Sequence, residues 1–288
     1  YCGATPVFVD VSTKTFNMDP EQVASKVTGK TKVIIPVHLF GLCADMDAIK
    51  AVIPKRVKIL EDAACAAGAK YKGKYAGTLG DAAVFSFHPR KSITTGEGGM
   101  ITTQNNLFSE LMDQMRNHGA TISEEQRHHG PKPYILPDFN LLGFNYRMTD
   151  LQGSIGIVQL EKLDSFIDER SKWATWYREK LSDIDWLRLP QEPENGKHGR
   201  QSFVTYVDPK TAPMSRNNIM EKLQNMGIST RPGTHAVHML SIYKDKFGIK
   251  QNDYPGARDC DANTMAIPLH NQMIREDYEY IVNALKSF

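Results

Sequence analysis

The sequence has no run of about 18 apolar residues, so it offers no candidate transmembrane helix. It has no excess of one charge. Thirty-five Lys and Arg against 33 Asp and Glu leave a formal net charge of +2, with no basic block. That balance argues against a nucleic-acid or anionic-membrane binder. Cysteine is scarce, with Cys2, Cys43, Cys65 and Cys260 only. No CxxC pair and no zinc-like spacing links them, so reduced thiols in a cytoplasmic protein are expected. His128 and His129 are adjacent in sequence and lack an evident third ligand, so no metal site is expected. The first residues, YCGATPVFVDVS, include no initiating Met, no charged leader and no apolar leader. They open close to a strand over residues 6–11, and the chain reads as a fragment without its natural N-terminus.

What is present is an ordinary globular composition, 41% hydrophobic and 24% charged over 288 residues. That length suits one large domain with a smaller one. Short apolar runs alternate with helical patterns in the first part. TPVFVDV reads as a strand. In NMDPEQVASKV, Asp19 is an expected N-cap, Pro20 suits the first helical position, and Gln22 occupies the capping-box position. TKVIIPVHLFG reads as a buried strand, DMDAIKAVI as a short helix, and RVKILEDAA as a strand ending at acidic residues. AAVFSFH and GGMITTQ read as two more strands. This order predicts an α/β sheet with mostly parallel strands.

Beyond residue 104 the pattern changes. NLFSELMDQMRNHG predicts a helix stopped at Gly119. Residues 120–144 show no period and read as a long loop. TDLQGSIGIVQLEKLDSFIDERSKWATWYREKL predicts a long helical stretch joining two domains. Leu151, Ile155 and Val158 fall on one face, which Leu163 and Ile167 continue, and that face suits core or dimer packing. From about residue 182 a smaller α+β domain is expected. It has a strand in SFVTYVD, a helix capped by Ser215 and stopped at Gly227, and a final helix in REDYEYIVNALKSF.

Candidate chemistry begins at ILEDAACAAGA. Asp62 ends a strand, and in open α/β sheets ligands gather at the carboxyl ends of strands. A carboxylate there can pair with a cationic ring nitrogen, or it can cap a following helix. Lys91, in SFHPRKSITTGEGG, follows a strand by a few residues. Lysine is a nucleophile only when deprotonated, which needs burial or a cationic neighbour. Judged alone, Lys91 reads as a surface lysine of a basic loop rather than a nucleophile, and TTGEGG reads either as a phosphate-cradling turn or as a tight turn.

In combination these segments are specific. Asp62 at a strand end, Ser86, Lys91, TTGEGG and GFNYRMTDLQGSIGIVQLEKLD come in one order. With them the chain resembles, along nearly its whole length, the sugar aminotransferase family often called DegT/DnrJ/EryC1/StrS. The resemblance implies pyridoxal 5'-phosphate as cofactor and the aspartate aminotransferase-like fold type I. It places a large cofactor domain over residues 1–165 and a small C-terminal domain over 166–288. It implies that Lys91 forms the Schiff base with the cofactor and moves the proton. Asp62 would pair with the pyridine nitrogen, and Ser86 would bind the phosphate. Asn145 would reach the phosphate from a second subunit, which implies a homodimer with shared sites. The substrates implied are glutamate and a nucleotide-linked keto-sugar.

Two departures stand out. The family often has Gln or His three residues after the ring aspartate, in contact with the cofactor; here the residue is Cys65, a weaker hydrogen-bonding group. The family's glycine–threonine phosphate turn falls upstream of residue 1, so part of the pocket is expected outside the chain. Arg231 is a candidate for a substrate phosphate or a strand cap. His235, in RPGTHAVH, is a candidate substrate-side residue or a structural one. Tyr146 suits a dimer interface, and Arg147 an interface or phosphate contact. A sugar dehydratase of the same superfamily would carry histidine in place of Lys91. A non-catalytic regulator would not need Lys91, Asp62 and Ser86 together.

Overall fold

A computed structural model describes residues 1–288 apart from Pro131 and Pro133, and describes only the backbone of Glu124 and Glu125. The strands are β1 (Val33–Ile34), β2 (Lys58–Asp62), β3 (Lys70–Tyr71), β4 (Lys74–Tyr75), β5 (Ala82–Ser86), β6 (Gly99–Thr103), β7 (Leu187–Arg188), β8 (Gly196–Lys197), β9 (Phe203–Val207), β10 (Arg231–Pro232) and β11 (Thr264–Ile267). The helices are α1 (Pro20–Lys26), α2 (Met46–Val52), α3 (Asn106–Arg116), α4 (Glu124–His129), α5 (Asp150–Glu161), α6 (Leu163–Leu181), α7 (Arg216–Asn225), α8 (Ser241–Phe247), α9 (Pro255–Asn263) and α10 (Arg275–Lys286).

The sheet that matters for the site runs β1-β2-β5-β6. β1, β2 and β5 are parallel, and β6 returns antiparallel with Gly99 opposite Ser86. The carboxyl ends of β2 and β5 and the turn into β6 therefore share one edge. α1 and α2 cover one face, burying Val23, Ile49 and Met46 against Ile34 and Ile59. Both helices start on aspartate caps. Asp45 accepts from the Ala48 N–H (3.1 Å) and Asp19 from the Glu21 N–H (3.1 Å). The Gln22 side chain goes to the Asp19 carboxylate (3.1 Å) rather than closing a capping box.

A second sheet, β10-β11-β9-β7, is wholly antiparallel. β9 is buried along its whole length. α6 and α10 pack on it, and Trp173 of α6 stacks on Tyr278 of α10 with ring centroids 4.1 Å apart. A third, three-stranded sheet of β4, β3 and β8 hangs off this framework. Burial pushes the thiols of Cys43 and Cys260 up to about 12, so both are inert packing groups.

Several sequence expectations need correction. TPVFVDV forms no strand, only an isolated bridge between Val11 and Met18, because no strand lies beside it to supply ladder partners. TKVIIPVHLFG is not buried throughout. Only Val33–Ile34 pair as strand, and among the described residues none covers Val33, Ile35 and Val37, which are exposed. The stretch 120–144 contains α4, started by a full Ser123–Gln126 capping box that outweighs the irregular composition; Pro131 and Pro133 of that stretch lie outside the described residues. The long helix is two helices meeting at Lys162. Ile167 is buried, but Leu151 (79% exposed), Ile155 (50%) and Val158 (48%) are not core.

Candidate active site

Asp62 is the last residue of β2. Its N–H donates to the Pro36 carbonyl and its carbonyl accepts from the His38 N–H, both at 2.9 Å. No helix follows it, so it is not a helix cap. Instead Oδ1 accepts the Ala64 N–H (3.1 Å) in a tight turn, and Oδ2 has no partner among the described residues. That turn carries Cys65 toward the end of β5. There the Lys91 ammonium donates to the Cys65 sulfur at 3.2 Å. Lys91 is half-buried, not a free surface lysine.

Lys91 is presented by a turn in which its N–H donates to the His88 carbonyl (2.9 Å). The chain then doubles back. The Thr95 N–H donates to the Phe87 carbonyl (3.1 Å), and the Phe87 N–H donates to that of Gly98 (2.9 Å). Gly96 (φ +82°) and Gly98 (φ +150°) take backbone that other residues rarely adopt, which is what TTGEGG supplies. Ser86, at the end of β5, uses its hydroxyl oxygen only to accept the His88 N–H at 3.4 Å, so its proton is free to donate.

The sequence reading missed the support behind this turn. Gln152 of α5 donates to the Glu97 carbonyl (2.9 Å), and Gln159, two turns on along the same face, accepts the Thr94 N–H (3.2 Å). Their spacing of seven was a readable signal, because it puts both amides on one side of a helix. It also missed Glu61. This side chain is fully buried and accepts from His38 and from the backbone of Gly77, Leu79 and Gly80. Burial alone would raise its pKa, but the hydrogen bonds from His38, Gly77 and Gly80 outweigh it and hold the carboxyl below its ordinary value.

Among the described residues no hydrogen bond joins the other candidates to Lys91. Asn145 is exposed and bridges Asn117 at the end of α3. Tyr146 is exposed and stacks on Phe144 (4.8 Å), and Arg147 donates to the Asn117 side chain (2.7 Å). Arg231 is exposed on β10 opposite Ala266, and His235 is exposed in the loop beyond it. The residues at the edge fit pyridoxal phosphate by their chemistry: an amine, a carboxylate with a free oxygen, and a hydroxyl with a free proton.

Comparison with known proteins identifies the family. Residues 1–286 match the DegT/DnrJ/EryC1/StrS aminotransferase family. A GDP-perosamine synthase of Caulobacter vibrioides is 36% identical, over 99% of this chain and 73% of its own length. The spore coat polysaccharide biosynthesis protein SpsC of Bacillus subtilis is 33% identical, over 99% of this chain and 74% of its own. The PMP-form of a putative sugar aminotransferase from Streptococcus pneumoniae superposes with a TM-score of 0.90. It is 29% identical and covers 99% of this chain and 76% of that one. The fold is accordingly the fold type I of pyridoxal phosphate-dependent transferases. Within that class the chain belongs to the DegT/DnrJ/EryC1/StrS aminotransferase family, whose cofactor is pyridoxal 5'-phosphate.

Proposed function

We propose that the protein transfers the amino group of glutamate to a nucleotide-linked keto-deoxysugar, in the making of polysaccharide, antigen or secondary-metabolite sugars. The observation that carries this reading is the Lys91–Cys65 contact of 3.2 Å, three residues past Asp62 at the shared strand edge. Sugar-modifying relatives such as the GDP-perosamine synthase support the substrate class. When bound, pyridoxal phosphate supplies an electron sink for the substrate carbon that loses its proton. Asp62 Oδ2 would hold the proton on the ring nitrogen. The Ser86 hydroxyl would donate to the phosphate. Lys91 Nζ would hold the cofactor and, when free, carry the proton at the substrate carbon that gains or loses the amine. Cys65 would stand beside Lys91 rather than act as a strong ring contact.

Asn145 and Tyr146 are exposed, and so are the apolar residues Leu151, Ile155 and Val158 of α5. Both features support a homodimer in which Asn145 serves the partner's site. Arg231 and His235, on the small domain, are proposed to face the sugar nucleotide. The large domain is proposed to span 1–165 and the small one 166–288. The four free thiols fit a reducing, cytoplasmic setting. Lys91 speaks against a dehydratase, which would carry histidine there. Lys91, Asp62 and Ser86 together speak against a regulator without turnover.

Two measurements test the reading. Borohydride reduction of the protein with pyridoxal phosphate, followed by peptide mass spectrometry, should leave the cofactor on Lys91. Cofactor on another lysine would sink the site assignment. A panel of nucleotide-linked keto-sugars with glutamate should give an amino-sugar product by mass spectrometry. No product from any of them would sink the substrate class.

A further inference from the structure

Glu61 and Asp62 are consecutive on β2, so their side chains leave opposite faces of the sheet. The Asp62 carboxylate keeps a free oxygen at the strand edge. Glu61 is sealed inside, with 0% of its side chain exposed, and so is its partner His38. The two meet at 2.9 Å between His38 Nε2 and Glu61 Oε2. His38 Nδ1 accepts the Ala44 N–H (3.1 Å), which leaves the ring proton on Nε2, so His38 donates to Glu61. The remaining Glu61 lone pairs take the N–H groups of Gly77 (2.8 Å), Leu79 (2.6 Å) and Gly80 (2.6 Å).

His38 thus holds both acids at once. Its ring donates to Glu61, and its backbone N–H donates to the Asp62 carbonyl (2.9 Å). Strand end, 36–38 segment and 77–80 turn become one unit. Gly77 lies at φ +90°, and a side chain there would run into the Phe85 ring, so the turn has little room to shift.

We propose that the His38–Glu61 pair is a positioning device for Asp62, fixing the carboxylate that meets the cofactor ring. The inference rests on the reading of Asp62 given above. If the pair only stabilised the fold, its loss would lower the melting temperature and leave the affinity of the folded protein for the cofactor unchanged. If it positions Asp62, affinity changes in a way that depends on which ring nitrogen is mimicked.

The test uses the full chain and pyridoxal phosphate, with dissociation constants from absorbance titration and melting of the cofactor-free protein alongside. His38→Gln keeps a donor where Nε2 stands and loses the acceptor for Ala44. His38→Asn keeps that acceptor and loses the donor to Glu61. His38→Asn should weaken cofactor binding about tenfold, the scale at which partners one bond removed from a ligand act. His38→Gln should stay within about threefold of the parent protein. The reverse order, or parent-like affinity in both, overturns the proposal. If His38→Asn does not fold, Glu61→Gln takes its place, because its amide NH2 meets backbone donors; parent-like affinity there overturns the proposal equally. Asp62→Asn separates the layers. If it binds the cofactor like the parent, the reading of Asp62 fails and the proposal with it. If it weakens binding while His38→Asn does not, only the proposal fails.

Discussion

Replacing Asp62 with Asn removes one charge and little else. The amide oxygen can still accept the Ala64 N–H that Oδ1 accepts at 3.1 Å, and both backbone bonds to the 36–38 segment remain. Fold stability should therefore move by no more than about 0.5 kcal/mol, as at sites away from core or caps. What should change is the grip proposed for the free oxygen on a protonated ring nitrogen. At an effective dielectric near 20, two charges about 4 Å apart attract by about 4 kcal/mol. Asp62 is half-buried, so water screens part of this, and the usual net worth of a charged hydrogen bond, about 1.5–3 kcal/mol, is the better figure. The dissociation constant of pyridoxal phosphate should thus rise about ten- to hundredfold. The ring nitrogen should also titrate about one to two pH units lower, at about 1.36 kcal/mol per unit. Absorbance titrations of the bound cofactor against pH, beside melting curves, read both quantities. Unchanged affinity and unchanged titration, in a variant that melts like the parent, would refute the pairing of Asp62 with the ring.

Other outcomes follow from the same structure. His198 is buried, and burial, with the Arg200 charge added, pushes its pKa down to about 3. The unfolded chain binds that proton near pH 6.5 and the folded one does not, so stability is full above about 6.5 and falls on acidification toward 3. The slope should approach 1.4 kcal/mol per pH unit, and His198→Asn, which keeps an acceptor for the Arg200 N–H (3.0 Å), should flatten it in urea titrations at pH 4 to 7. Asp10 is buried and accepts the Gly256 (2.8 Å) and Ala257 (2.7 Å) N–H groups at the start of α9. Asp10→Ala strands both donors and should cost about 1–3 kcal/mol by denaturant unfolding, whereas a loss below about 0.3 kcal/mol would count against that cap. Ile155→Asp, on the exposed apolar side of α5, should shift light-scattering mass toward a monomer, and an unchanged mass would remove this face from the proposed dimer interface.

The parts legible in the sequence were those governed by local chemistry. Asp19, Ser215 and Gly227 mark helix ends as expected, because caps act over three or four residues. β2, β5, β6 and β9 fall where short apolar runs stood. Asp62, Cys65, Ser86 and Lys91 were singled out through the family resemblance; Asp62 and Ser86 end the parallel strands β2 and β5, and Cys65 meets Lys91. What failed depends on distant partners. TPVFVDV has strand residues but, among the described residues, only the isolated Val11–Met18 bridge to pair with. The apolar residues of α5 follow a helical period whether they face a core, a second subunit or solvent, so the period could not choose. α4 was lost because a capping box and one turn are a weaker signal than the prolines and glycines around them.

Glu61 shows a different limit. Two adjacent acids at a strand end look like one acidic feature, and composition cannot assign them separate work. The strand's alternation divides them. One faces inward, where a carboxylate survives only if every lone pair is filled, and His38 and three backbone donors fill them. The other faces the edge with one unfilled oxygen, which suits the cationic ring proposed to meet it. Exchanging the two roles would need only a one-residue slip of β2. That slip is opposed by the same His38, which binds the inner acid through its ring and the outer one through its backbone. On the proposed role of Asp62, the register of β2 is a condition of the chemistry as well as of the fold.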